Sequence, residues 1–145
     1  MGEASAIKPE NASWVSPFLT VQDPEAAMRF YEKAFGFEQA YANEQDGRVV
    51  HAEMKYMGAT VLLLTLEGQH EPHMKTPKHS ETDMPAVFCV YMKNVDDAFA
   101  RAISSGATSV FEPKDVPWGE RMCQVRDPDG YRWLLSKVVK QSHAG

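Results

Sequence analysis

The chain has 145 residues, of which 43% are hydrophobic and 10% aromatic, enough for one ordinary domain with a sizeable core. A formal charge of −5, with no cluster of Lys and Arg, excludes the electrostatic footprint of a nucleic-acid or anionic-membrane binder and leaves small molecules or proteins as partners. The longest aliphatic run, VLLL at 61 to 64, falls far short of the about 20 residues that cross a bilayer.

The opening MGEASAIKPENAS lacks a basic stretch followed by an apolar one, and Ala6 stands where an N-myristoylation signal has Ser or Thr, so a cytoplasmic protein is expected. Residues 1–12 read as a flexible tail. A strand-like run follows, WVSPFLTV at 14 to 21. In QDPEAAMRFYEKAFGFE, Asp23 is a good N-cap and Pro24 suits the first helical position. Ala27, Phe30, Tyr31, Ala34 and Phe35 then recur with helical spacing up to Gly36, which closes the helix. FEQAYANE, RVVHAEMKYM and ATVLLLT come next as strands. A polar, proline-bearing linker, EGQHEPHMKTPKHSETDMP at 67 to 85, separates this half from the next.

The second half repeats the order. AVFCVYM at 86 to 92 is a strand; NVDDAFARAISSGA is a helix capped by Asn94, with an apolar stripe at Val95, Ala98, Phe99, Ala102 and Ile103 and a stop at Gly106. TSVFEP, ERMCQV and YRWLLSKV complete it. Aligning Asp23 with Asn94 superimposes two β-α-β-β-β units of divergent sequence, and this internal duplication sets the architecture as α+β. The expected organisation is a single domain at 13–138, with modules at 13–66 and 86–138, the linker at 67–85 between them, and a C-terminal tail at 139–145. Cys89 and Cys123 both fall in strand patterns and read as buried, reduced thiols.

FLTVQDPEAAMRFYEKAFGFE at the start of the first unit and DPDGYRWLLS at the end of the second resemble the vicinal oxygen chelate superfamily, which includes glyoxalase I, extradiol dioxygenases and bleomycin-binding proteins. HAEM at 51 to 54 and VPWGERM at 116 to 122 are similar to its PhnB-like, glyoxalase-like subgroup. The resemblance implies that each module curls its strands into a half-barrel around a groove, commonly in a homodimer. It also implies four metal-ligand positions, which match Ser16, Leu63, Val87 and Leu134 here. One hydroxyl and three aliphatic groups cannot replace imidazole and carboxylate donors. No cofactor is therefore expected, and a divalent metal only through an unconventional site.

Alternation gives the remaining site candidates. In the third strand Val50, Ala52, Met54 and Tyr56 take the buried face, which leaves His51, Glu53 and Lys55 on the groove face. His51 and Glu53 suit a general base and its orienting carboxylate, or a polar pair that supports strand pairing or a dimer contact. Trp118 and Arg121 suit an aromatic or anionic ligand at a groove mouth, or, for Trp118, a cap on the core. Phe18 and Tyr91 sit on groove faces, where they meet a planar ligand or pack in the core. His70, His73 and His79 lie in the linker, a solvated segment or a lid over the groove. Asp127, Pro128, Asp129 and Gly130 form the turn between the last two strands, with Tyr131, Trp133 and Leu135 on the buried face beyond it. The expected function is a small-molecule-binding protein without the family's metal; the alternative is a lyase, isomerase or dioxygenase that uses His51 and Glu53.

Overall fold

Asp23 and Asn94 open the two long helices by the same device. Asp23 Oδ1 accepts from the Glu25 amide at 3.1 Å, and Asn94 Oδ1 from the Asp97 amide at 3.0 Å. In the computed structural model, which describes residues 7–140, these caps start α1 (Pro24–Phe35) and α3 (Val95–Ser104). Gly36, at φ 77°, ends α1 by donating its amide to the carbonyls of Glu32 and Tyr31. The following Phe37 amide reaches the Tyr31 carbonyl, and the Phe37 ring stacks on that of Tyr31.

The strands are β1 (Phe18–Val21), β2 (Glu38–Gln45), β3 (Arg48–Tyr56), β4 (Ala59–Leu66), β5 (Val87–Tyr91), β6 (Thr108–Val116), β7 (Glu120–Arg126) and β8 (Arg132–Val138), with one short helix, α2 (Pro77–Ser80), in the linker. They form two four-stranded sheets, ordered β1-β4-β3-β2 and β5-β8-β7-β6. In each, the first strand pairs in parallel with the last and the others pair antiparallel. The duplication read from the sequence is thus a duplication of topology, in a mixed α+β fold.

The chain divides into two units, Met1–Glu32 with Gly36–Lys75 and Lys33–Phe35 with Thr76–Gly145. In the first, Leu19, Val21, Val50, Ala52, Met54, Leu62 and Leu64 are buried, so β1, β3 and β4 each turn one face inward as alternation predicts. Tyr56, expected among them, is only half-buried, its ring against Phe37. In the second unit α3 packs on β6, β7 and β8, and Cys123, Val125, Trp133 and Leu135 are buried. The last turn of α1 belongs here: the Phe35 ring lies 5.2 Å from that of Trp133, and Arg101 donates to the Lys33 and Ala34 carbonyls.

Several expectations need correction. The first strand is shorter than 14 to 21, because Pro17 has no amide to offer a ladder; only its carbonyl is used, by the Leu63 amide, and Trp14 and Val15 are exposed. The sixth strand runs on past Pro113 to Val116, since β6 is an edge strand and its pairing is irregular between Phe111 and Lys114. Ile103 is exposed and Phe99 half-buried, so the stripe of α3 is narrower than drawn. Cys89 is exposed rather than buried, because it lies on the open face of an edge strand; Cys123 is buried as expected. Of the expected tails, 1–6 and 141–145 lie outside the described residues, while Asn11 and Ser13 exchange backbone hydrogen bonds with Thr60.

Candidate functional site

On the open face of the first sheet the register lines up two rows of side chains. Phe18, Leu63, Glu53 and Tyr41 are successive neighbours across β1, β4, β3 and β2; Thr20, Thr65, His51 and Asn43 form the next row. Alternation fixes which residues share this face, and the pairing register decides which of them touch. His51 Nε2 lies 3.2 Å from Glu53 Oε2. Edge-on ring contacts join Phe18 to His51, with centroids 5.7 Å apart, and to His70, at 6.0 Å. Tyr41 is tilted against His51 at 6.2 Å.

Beside these rings is a cavity of about 250 Å³, with Thr20 and Thr65 in its wall, Phe18, Leu66 and Met74 as apolar surface, and the loop carrying Gln69, His70 and Glu71 at its side. That loop is closed on itself. The Gly68 amide donates to the Met74 carbonyl, Gln69 to Leu66 and Met74 to Glu71, and Gln69 Nε2 donates to Gln45 Oε1. Thr20 and Thr65 are both buried, and Thr65 Oγ1 makes no hydrogen bond among the described residues.

The second unit treats its polar groups differently. Arg121 sends Nε and Nη2 to the two oxygens of Asp96, at 2.8 and 2.9 Å, and Nη1 to Asp115 at 3.1 Å. The Asp96 hydrogen bonds raise the guanidinium's pKa, and Arg121 in turn lowers that of Asp96. A fork already holding two carboxylates has little left for an anionic ligand. Trp118 stands half-exposed in the turn before β7, one residue ahead of Gly119 at φ 87°. Tyr91 is exposed beside Cys89 and Glu120; although Cys89 as a residue is exposed, partial desolvation of its sulfur and then the Glu120 charge push its thiol up, and the charge on Cys89, followed by that of Glu120, raises the Tyr91 phenol. Glu120 itself is buried and accepts from Ser136 Oγ at 2.9 Å.

The DPDG turn is built around a buried carboxylate. Asp127 Oδ1 accepts from the amides of Asp129 and Tyr131, and Oδ2 accepts from Trp133 Nε1 at 2.8 Å. Gly130 takes φ 100°, as its place in the turn requires. A cavity of about 470 Å³ lies beside this turn, between Pro77, Lys78 and Asp83 of the linker and Gly106, Arg126 and Pro128. Its strongest charges are spent on each other, since Asp83 pairs with Arg132 and Arg126, which hold its carboxyl down to about 2.

Of the expected site residues, then, Phe18 lines the first unit's cavity, and His51, with Glu53 beside it, touches Phe18 on the same face of the sheet. His70, His73 and His79 are all exposed, as a solvated segment would be, and His70 also lines the cavity beside Phe18. Thr20 and Thr65 were not singled out from the sequence, although a threonine closing the aliphatic run VLLLT was a visible irregularity. Leu63 pairs with Phe18, Val87 with Arg132 and Leu134 with Cys89, whereas Ser16, expected in the first strand, precedes β1. Among the described residues no three His, Cys, Asp or Glu side chains converge as a metal's ligands would.

These two sheets, and the order of their strands, define the class. A family model of the Glyoxalase/Bleomycin resistance protein/Dioxygenase superfamily matches residues 13–135, and the chain belongs to that superfamily. It is 34% identical over 141 residues to an uncharacterized protein of Mycobacterium tuberculosis, covering 97% of this chain and 82% of the relative. Among solved structures it is similar to TioX from Micromonospora sp. ML1, at 28% identity and a TM-score of 0.65 over 86% of this chain and 95% of the other. A superfamily member from Sphaerobacter thermophilus matches at 25% identity and a TM-score of 0.63, over 86% and 97% of the two chains.

Proposed function

We propose that this chain is a small-molecule-binding protein, of the PhnB-like subgroup of its superfamily, whose ligand enters the first unit's cavity beside Phe18 and which works without a metal. One observation carries the reading: an apolar cavity lined by the exposed Phe18 ring and the His70 imidazole, with the buried residues Thr20 and Thr65 in its wall. The donor chemistry supports the absence of metal, since Ser16, Leu63, Val87 and Leu134 offer no imidazole, thiolate or carboxylate. Arg121, engaged by Asp96 and Asp115, is left out of the site, and with it the anionic class of ligand. The protein is read as a single domain that acts as a homodimer in the cytoplasm; no helix of the described residues is long and apolar enough to cross a membrane.

The test is elemental analysis of untagged protein together with a thermal-shift screen against metals and metabolites. The expected outcome is less than one equivalent of Zn, Ni, Mn or Fe, a melting temperature that chelator leaves unchanged, and stabilisation by small organic compounds, about 2.7 kcal/mol for a ligand at a hundred times its Kd. A full equivalent of metal whose removal lowers the melting temperature overturns the metal-free reading.

A second reading has its own observation. The contact between His51 Nε2 and Glu53 Oε2 orients the imidazole and leaves Nδ1 to take or give a proton, the arrangement of a general base and its carboxylate. It supports a lyase, isomerase or dioxygenase, the last needing a metal at an unconventional site. His51→Ala separates the two: turnover of any substrate found disappears if the pair is catalytic, whereas binding remains measurable if the cavity only binds.

A further inference from the structure

Arg126 and Arg132 are direct partners across β7 and β8, and alternation puts both on the open face of the sheet, away from the buried Val125 and Trp133. Like charges opposite one another in an antiparallel pair destabilise it. One carboxylate lies between them. Arg132 sends Nε and Nη2 to the two oxygens of Asp83, the first at 2.9 Å, and Arg126 sends Nη2 to Oδ1 at 3.2 Å. Gln124 Oε1 accepts from Arg132 Nη1 at 3.1 Å and steadies the fork.

Asp83 is not part of the sheet. It belongs to the linker, in a stretch without regular secondary structure between α2 and β5, and its side chain is 55% exposed. Two guanidiniums share this one carboxylate, the reverse of Arg121, where one guanidinium holds two. Arg126 spends a single N–H on Asp83, and its guanidinium makes no other hydrogen bond among the described residues while its side chain is 38% exposed. Arg126 and Asp83 border the cavity of about 470 Å³, a volume within the roughly 300 to 1,000 Å³ of ligand pockets. The other charged residues of that wall are Lys78, Glu81 and Asp127, and the Asp127 carboxylate is turned to the Asp129 and Tyr131 amides and the Trp133 indole. Pro77 and Pro128 give the wall an apolar side.

We propose that Arg126 and Arg132 form a binding site for the carboxylate of a small organic acid, and that Asp83 occupies it as an internal stand-in which such a ligand displaces. The site lies in the second unit and stands independently of the first unit's cavity. Geometry sets the class of ligand. The planar fork of Arg132 already engages both oxygens of a carboxylate, so a ligand carboxylate takes the place of Asp83 with the arginines where they are, and the rest of the ligand extends into the cavity that Asp83 borders. A carboxylate tethered on the same chain competes at an effective concentration on the order of millimolar, so Asp83 weakens such a ligand without excluding it.

The experiment is an NMR titration of backbone amides in the whole chain with butyrate and with butyramide, its uncharged counterpart, at constant ionic strength, for the wild type, Asp83→Asn and Arg126→Gln. For the wild type, butyrate is expected to shift the amides of Asp83, Arg126 and Arg132, and butyramide to leave them unmoved. Asp83→Asn removes the competitor and is expected to bind butyrate about tenfold or more tighter. Arg126→Gln removes a charge-assisted hydrogen bond and is expected to bind it about tenfold or more weaker. The wild-type titration decides without any variant: if butyrate moves none of these amides, or butyramide moves them as much, the ion pair is structural only and the proposal is overturned. It is overturned equally if Asp83→Asn binds butyrate no tighter than the wild type, or if Arg126→Gln binds it as tightly.

Discussion

Thr65 in the first unit and Glu120 in the second are both more than nine-tenths buried, and they meet opposite fates. Glu120 accepts from Ser136, whereas Thr65 Oγ1 has no partner among the described residues and borders a cavity. The contrast extends through both units. In the second, Arg121 holds Asp96 and Asp115, Asp83 holds Arg126 and Arg132, and Asp127 is saturated by two amides and an indole. In the first, Phe18 and Thr65 line one cavity, and the His51–Glu53 pair lies against Phe18 on the same face of the sheet. One topology used twice thus satisfies these buried polar groups differently in its two copies.

Outside the Asp83 clamp, substitutions in the second unit should therefore act on stability and those in the first on binding. Asp127→Ala leaves two backbone amides and the Trp133 indole without their acceptor, in a buried turn. It is expected to cost about 3 to 5 kcal/mol in chemical denaturation, and a loss under about 1 kcal/mol would break the comparison. Gly130→Ala combines a left-handed φ with a Cβ placed 2.9 Å from the Lys78 amide nitrogen and 3.1 Å from Pro77 Cβ. It should cost about 1 to 3 kcal/mol. Gly47→Ala, strained at φ 78° with nothing within 4 Å, should cost less, and the difference measures the docking of the linker on the turn.

Thr65→Val should move stability by no more than about 1 kcal/mol, and in the stabilising direction, since it removes an unpaired hydroxyl. A clear destabilisation would mean that the hydroxyl does structural work, and the contrast between the units would fail. The Asp83 clamp gives a pH signature. Its carboxyl titrates at about 2 when folded against an ordinary 3.8, so its contribution is fully present above 3.8 and is lost as pH falls from there towards 2. Melting temperature followed through that window should fall less steeply for Asp83→Asn than for the wild type. The smallest effect is expected for Arg121→Lys, an exposed change that should lower the melting temperature slightly and leave ligand affinity unaltered; a tenfold loss of affinity would return Arg121 to the site.

The sequence by itself determined the duplication, the caps at Asp23 and Asn94, the stop at Gly36, the turn at Gly130 and the face on which His51 and Glu53 lie. Each is decided within a few residues, by backbone sterics, capping geometry or two-residue periodicity, so the local string suffices. Whether a polar group finds a partner was decided elsewhere. Arg121 is neutralised by Asp96, far from it in the chain, because β7 packs beside the start of α3. Cys89 is exposed because it lies on the open face of β5, opposite the buried Val90, and His70 meets Phe18 because the loop after β4 closes back over β1. Thr65 looked like one more strand threonine until the register set it between Thr20 and His51 at the wall of a cavity. Hydrogen-bond satisfaction is a property of how distant strands meet, and no local pattern of residues encodes it.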